Sequence, residues 1–317
     1  MRLLAATGDA IARLDADGDG FRVSLSLEGS GAQCIATGDG FALAGCRGSG
    51  LWRSDDGGAT WRDLGLSHQD VFSVAVSPGD GAVYAGCEPS MLFRSDDGGE
   101  SWRELESLRS IPSAPTWSFP PRPWTSHVRW IAPSPHDARL LLVGIELGGL
   151  MRSDDGGESW EDHRPGAKRD VHCLSWHPTA PGRAYETGGD GTAWSRDGGR
   201  TWDAIDEGRD RNYSWALAVD PEDPDTWFAS VSPGPYQAHA DGRADAYLYR
   251  WSGAGPWERL AGPFSSMPYA LRFADGALFA GFSNGAILAR DDGGESWPEI
   301  PLSGDPVRRI VALETLD

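Results

Sequence analysis

One octapeptide recurs along this chain and does more than any other feature to limit its fold. Ser54-Asp-Asp-Gly-Gly-Ala-Thr-Trp61 returns as Ser95-Asp-Asp-Gly-Gly-Glu-Ser-Trp102 and as Ser153-Asp-Asp-Gly-Gly-Glu-Ser-Trp160. Looser copies run Ser195–Trp202 and Arg290–Trp297, and degenerate ones Leu14–Phe21 and Trp251–Trp257. The closing aromatics, from Phe21 to Trp297, are spaced by 40, 41, 58, 42, 55 and 40 residues. The path from Trp297 through the C-terminus and on from the N-terminus to Phe21 is 41 residues. A period that survives joining the two ends describes a ring of seven units. Repeats of about 40 to 50 residues with four short strands each are propeller blades.

One period shows the strands. Val71–Ser77 is a β-rich run stopped by Pro78-Gly-Asp-Gly81, Ala82–Cys87 is a second strand, Met91–Arg94 a third and Trp102–Leu105 a fourth. In the repeated turn, Ser and Asp side chains bond nearby backbone N–H groups, glycine supplies positive φ, and the Trp packs beneath. The repeats therefore read as structural staples. The expected fold is all-β: a single seven-bladed propeller domain over residues 1–317, with four antiparallel strands per blade. Both ends build the last blade. Leu3–Ala6, Ile11–Leu14 and Phe21–Leu25 give three strands, and Val307–Leu313 gives the innermost. Asp15–Gly20 begins like a calcium loop, but its twelfth position is Ser26, so it reads as a turn.

Composition narrows the function classes. Lys and Arg number 28 against 47 Asp and Glu, a formal charge of −19, which argues against nucleic-acid binding. No apolar run reaches the roughly 18 residues of a membrane span, and Asp9 interrupts the N-terminus too early for a signal peptide. The four cysteines form no CxxC pair, and all four read as small buried residues. A cytoplasmic protein with no metal, cofactor or membrane contact is expected.

The motif Ser-x-Asp-x-Gly-x-Ser/Thr-Trp, complete at Ser54–Trp61, Ser95–Trp102, Ser153–Trp160 and Ser195–Trp202, resembles the Asp-box (BNR) repeat. That group includes sialidases, xyloglucanase-type glycoside hydrolases, sortilin-type receptors and a photosystem II assembly factor. The resemblance implies a propeller and leaves the activity open. Sialidases carry a Phe/Tyr-Arg-Ile-Pro segment, and the nearest string here is Leu108-Arg-Ser-Ile-Pro112. The xyloglucanases pair two such propellers. The sortilin type adds cysteine-rich modules. The assembly factor, one seven-bladed ring with an arginine patch, is nearest in size.

The resemblance also puts the repeated turns on the face away from ligand. The two long steps place extra residues at Glu106–Ser126 and Ser232–Ala246, both on the opposite face, where functional loops concentrate. That face is expected to hold Arg109, Arg122, Lys168, Arg169, Arg209, Arg211 and Arg243, suited to an anionic ligand. Aligning inner strands on Pro78, Pro135, Pro178 and Pro221 groups Asp70, His127, Asp170 and Tyr213, and then Phe72, Arg129, His172 and Trp215. Second-strand ends add Arg47, Glu88, Glu146 and Glu186. Two functions remain open. One is a binding propeller whose arginine-rich face takes an anionic small molecule, carbohydrate or protein through Arg47, Glu88, Trp124, Arg129, Arg211, Tyr213, Tyr236 and His239. The other is a carbohydrate-directed glycoside hydrolase or lyase using Glu146, Glu186, His127 and His172. Two histidines with carboxylates are also a metal-ligand set.

Overall fold

In the computed structural model, which describes residues 1–119, 125–291 and 296–316, seven sheets radiate around a central channel. Blade one runs Ala32–Gly38, Phe41–Cys46, Gly50–Ser54 and Arg62–Asp63 from the inside out, and blade two Val71–Val76, Val83–Cys87, Leu92–Ser95 and Arg103–Glu104. Blade three has Val128–Pro133, Leu141–Ile145 and Gly149–Ser153, its fourth strand reduced to an Arg152–Glu161 bridge. Blade four follows with Val171–Trp176, Ala184–Gly188, Gly191–Ser195 and Asp203–Ala204, and blade five with Tyr213–Val219, Thr226–Ser232, Ala246–Ser252 and Glu258–Phe264. Blade six has Pro268–Ala274, Ala277–Phe282 and Ile287–Asp291, with a Leu288–Glu299 bridge outside them.

Blade seven closes the ring. Ala312–Leu316 pairs antiparallel with Arg2–Ala6, which pairs with Ile11–Asp17 and then with Gly20–Ser26. The innermost strand is therefore displaced from the expected Val307–Leu313. Pro306 has no N–H to give, and Ile310 N–H is spent on the Phe282 carbonyl of blade six. Pairing with blade seven begins only when Val311 N–H reaches Ala6 O. An element missing from the sequence reading is Leu302–Gly304, which adds parallel to Phe21–Val23 and covers what would be an open edge.

Blades pack through their second strands. A Cβ on Gly45 would lie 2.7 Å from Val71, on Gly86 2.5 Å from Val128, on Gly144 2.4 Å from Val171, and on Gly281 2.6 Å from Ile310. In each case the absent side chain makes room for the residue that leads into the next inner strand. The repeated turns stitch the outer rim. Ser95 Oγ accepts Gly99 N–H at 2.8 Å and donates to Asp97 at 2.7 Å, while Asp97 accepts Ser101 N–H and hydroxyl. Ser54, Ser153 and Ser195 repeat the pattern. Two of the arginines that precede these serines then reach across: Arg53 donates to Gly98 O and Arg152 to Gly198 O, both at 2.8 Å in the next blade. Each also pairs with its own turn, Arg53 with Asp55 and Arg152 with Asp154. The Arg290–Trp297 copy lies mostly outside the described residues.

Ser95 is buried, so Ser95→Ala leaves the Gly99 N–H without its partner. We expect a loss of about 1–2 kcal/mol, read as a lower urea midpoint at unchanged m-value.

Candidate functional site

Every inner strand of blades one to six carries a register shift near its start, between Ala32 and Cys34, Val71 and Ser73, Val128 and Trp130, Val171 and Cys173, Ser214 and Leu217, and Pro268 and Ala270. A bulge places two residues opposite one and re-aims a side chain. The extra residues are Gln33, Phe72, Arg129, His172, Trp215 with Ala216, and Tyr269. All of them line a channel cavity of about 490 Å³ bounded by the seven inner strands. Arg129 of blade three spans blade four to lie 4.8 Å from the Trp215 ring centre in blade five.

Above this ring sits a buried polar cluster. His127 Nε2 donates to Glu146 Oε2 at 2.6 Å, and Arg129 Nε lies 3.5 Å from the same oxygen. The His127 ring stacks on Phe72 at 4.1 Å and meets Phe119 edge-on at 5.0 Å. Glu88 holds Thr125 through Oε1 at 2.8 Å and keeps Oε2 3.8 Å from His127 Nδ1. On the neighbouring blade, His172 Nδ1 is 2.7 Å from the Ser214 carbonyl. A carbonyl only accepts, so Nδ1 carries the proton and the Nε2 lone pair faces Asp170 Oδ2, 3.6 Å away. Buried atoms with no hydrogen-bond partner gather here: Glu88 Oε2, His127 Nδ1, Arg129 Nε, Asp170 Oδ1 and His172 Nε2.

The cluster's charges differ in kind. Burial acts to raise the Glu146 carboxyl, but the His127 hydrogen bond and the Arg129 charge outweigh it and hold it down to about 2. Burial, with the Glu146 charge beside it, pushes Asp170 up to about 7. Burial brings His172 down to about 4 against the pull of Glu146.

The structure thus brings together Glu88, His127, Arg129, Glu146 and His172 among the sequence candidates, with Arg47 5.1 Å from the Phe72 ring centre. It does not bring Glu186 to them. That carboxyl is fully buried, accepting Lys168 N–H at 2.9 Å, and burial lifts it to about 8. Arg211 pairs with Asp210 and Asp245. Tyr236 is 89% exposed on the second insertion. His239 spends both nitrogens, one on Tyr213 OH and one on Tyr269 OH, each at 2.7 Å. Tyr269 donates onward to Ala238 O, so Tyr213 donates to His239 Nε2 and the insertion is pinned over the ring. Trp124 and Arg122 lie outside the described residues. Several of the other expected face cations are also engaged: Arg109 with Glu104, Lys168 and Arg209 with Asp206.

The early half of the first insertion binds the outside of blade three, with Ser107 Oγ on Gly157 O and Ser113 N–H on Asp162. Among its described residues, Phe119 reaches His127. Sequence reasoning passed over Phe119, Tyr269 and Gln33, and aligned Asp170 with His127 without giving it a role. The inner-strand prolines used for alignment exist in four blades, and blades one and six have none there. A signal shared by blades two, three and four is the valine just before the extra residue, Val71, Val128 and Val171.

No protein-family model matches the sequence. The vacuolar protein sorting/targeting protein 10 of Neosartorya fischeri is 32% identical over 74 residues, 22% of this chain and 5% of that protein, so the chain matches only a small part of its length. The GH74 xyloglucanase of Xanthomonas campestris superposes with a TM-score of 0.65 at 18% identity, over 92% of this chain and 46% of the enzyme. A YCF48 structure bound to a D1 peptide gives 0.59 at 20% identity, over 85% and 82%. YCF48 from Cyanidioschyzon merolae gives 0.59 at 13% identity, over 88% and 86%. The chain is a seven-bladed β-propeller with enzymes and binding proteins among its structural neighbours. Among the described residues, no helix is long and apolar enough to cross a membrane.

Glu186 offers a check on the interior away from the mouth. Its folded pKa lies above its unfolded one, so the native state holds the extra proton and stability falls as pH rises from about 4.5 to about 8. Glu186→Gln keeps the shape and removes the titration. Its melting temperature should fall less than wild type across that window; parallel curves would refute the assignment.

Proposed function

We propose that this propeller binds a small polar ligand with an anionic group, of the carboxylated-sugar class, at the mouth of the central channel. The observation that carries this is the ring of bulges. Six inner strands turn the same position inward, and above it gather aromatic faces and buried polar atoms without partners. Such atoms cost free energy unless water or a ligand satisfies them. Arg129, with an unpartnered Nε, and Arg47 are the cations suited to the anionic group. Phe72 and Trp215 supply flat apolar faces beside them. The engaged state of Arg109, Lys168, Arg209 and Arg211 counts against a broad cationic surface for a protein partner.

A hydrolase or lyase acting on the same ligand class is the second reading. It is favoured by Glu146, Asp170 and His172 presenting donor atoms within 4.8 Å of one another. In this reading His127 orients Glu146, His172 is the base, and Glu186 has no part.

The experiment is a thermal-shift and calorimetric titration with glucuronate, galacturonate, glucose 6-phosphate, glucose and xylo-oligosaccharides. Wild type should respond to the anionic sugars, and Arg129→Gln should weaken that response about tenfold or more. A response to neutral oligosaccharides alone would refute the anionic component. No response to any of them would refute the small-ligand reading. Incubation of a bound compound with wild type and His172→Gln, followed by product analysis, separates enzyme from binder.

A further inference from the structure

The polar cluster contains a set of donors that the ligand reading leaves unused. Glu146 ends the second strand of blade three, while Asp170 and His172 flank the start of blade four's inner strand. One donor atom from each lies within 4.8 Å of the others, and His172 Nε2 is 3.6 Å from Asp170 Oδ2. We propose that Glu146, Asp170 and His172 form a binding site for a divalent first-row metal ion of the zinc or manganese type.

Three independent features support it. His172 is 1% exposed, and its Nε2 has no hydrogen-bond partner. A buried imidazole lone pair is costly to leave idle. Its Nδ1–H is fixed on the Ser214 carbonyl at 2.7 Å, the outer hydrogen bond that metal-ligating histidines use to aim the other nitrogen. Glu146 is likewise held by His127 at 2.6 Å, a carboxylate oriented by a second histidine that does not itself join the donor set. Finally, Asp170 Oδ1 is buried and unpartnered beside another carboxylate, an arrangement that a cation relieves.

The chemistry of the set defines the class. Two carboxylate oxygens and one imidazole nitrogen suit zinc, manganese or ferrous iron, with no thiolate to favour a softer ion. Three protein ligands leave coordination positions for water or a ligand oxygen, as in catalytic rather than structural sites. Metal–donor bonds of about 2.1 Å require donors roughly 3–3.5 Å apart. The His172–Asp170 pair is already near that, and Asp170, the most exposed of the three, has the freedom to close the set. Arg129 is the opposing charge, 3.5 Å from Glu146 Oε2. Its guanidinium rests over Trp215, which offers it a second partner when a cation takes the carboxylate. The inference rests on the channel mouth being the site, and it names what the bound ligand would meet there.

The test uses the whole chain free of any affinity tag, stripped with chelator and dialysed. Zn²⁺, Mn²⁺ and Co²⁺ are titrated separately, without organic ligand, by calorimetry, elemental analysis and Co²⁺ absorption. One equivalent per chain is expected, with a rise in melting temperature and Co²⁺ bands of a mixed nitrogen–oxygen site. His172→Gln and Asp170→Asn should each weaken binding about tenfold or more, and Glu186→Gln, a buried carboxylate elsewhere, should not. Circular dichroism of each variant checks that the propeller is intact; Asp170→Asn, nearly isosteric, keeps the test alive if His172→Gln unfolds. Absent or substoichiometric binding, or binding unchanged in both variants, overturns the metal site. The anionic-sugar titration repeated in excess chelator tests the ligand site by itself, so either reading can fail without the other.

Discussion

Closure of the ring through Ala312–Leu316 and Arg2–Ala6 is the constraint on which the rest of the molecule depends. A propeller blade buries its two faces only against neighbours, so an open ring would expose both faces of the seam. Here the seam is a five-strand sheet made from both termini, held by main-chain pairing and by Leu3, Ala5, Ile310 and Leu313 in one apolar cluster. The cysteines are free, so no covalent bond shares the task. With the circle fixed, the angle between adjacent blades is fixed too. The glycine near the end of the second strand in blades one, two, three and six follows from that, because Gly45, Gly86, Gly144 and Gly281 stand where the next blade comes closest.

The bulges follow from the same geometry and turn it toward function. An inner strand with unbroken alternation would send every second side chain into the channel and the rest into the blade interface. The extra residue near each strand start disrupts that alternation and places one more side chain at the mouth. In blades one, two, five and six the chain spends this position on Gln33, Phe72, Trp215 and Tyr269. In blades three and four it spends it on Arg129 and His172. Ionisable side chains at this position are therefore confined to one sector, and Phe72, Trp215 and Tyr269, with Gln33, line the remainder of the ring. The two insertions serve that sector from either side, Phe119 against His127 and His239 between Tyr213 and Tyr269.

The architecture was legible because the repeat is written in residue types with few alternatives. Ser95, Asp97, Gly99 and Trp102 each have one job in a tight turn, so their spacing reported the blade period directly. The terminal clasp was legible for the same reason, except for its register. Val307–Leu313 looks like a strand by composition, yet Ile310 is claimed by blade six, and a hydrogen bond between units leaves no mark in a single period. The inter-blade role of Arg53 and Arg152 was hidden likewise, since nothing in the motif says that a side chain crosses to the next turn.

The site was legible only where position and chemistry coincide. His127, Glu146, Arg129 and His172 fell out of strand alignment because they sit at equivalent positions in adjacent blades. Glu186, which the count put close to the same position but displaced by two residues, lies elsewhere. The side chains of its strand alternate, with Tyr185 and Thr187 facing blade five and Glu186 turned to the other interface. A displacement of one residue is enough to exchange those faces. His239 and Tyr213 lie beside the inner-strand ring, but their polar atoms are consumed by each other and by Tyr269. Composition cannot distinguish an aromatic or histidine that meets a ligand from one that holds down a loop. The difference lies in whether its polar atoms already have partners. By that criterion the weight of the site moves to His172, Asp170 and Arg129, whose buried atoms have none.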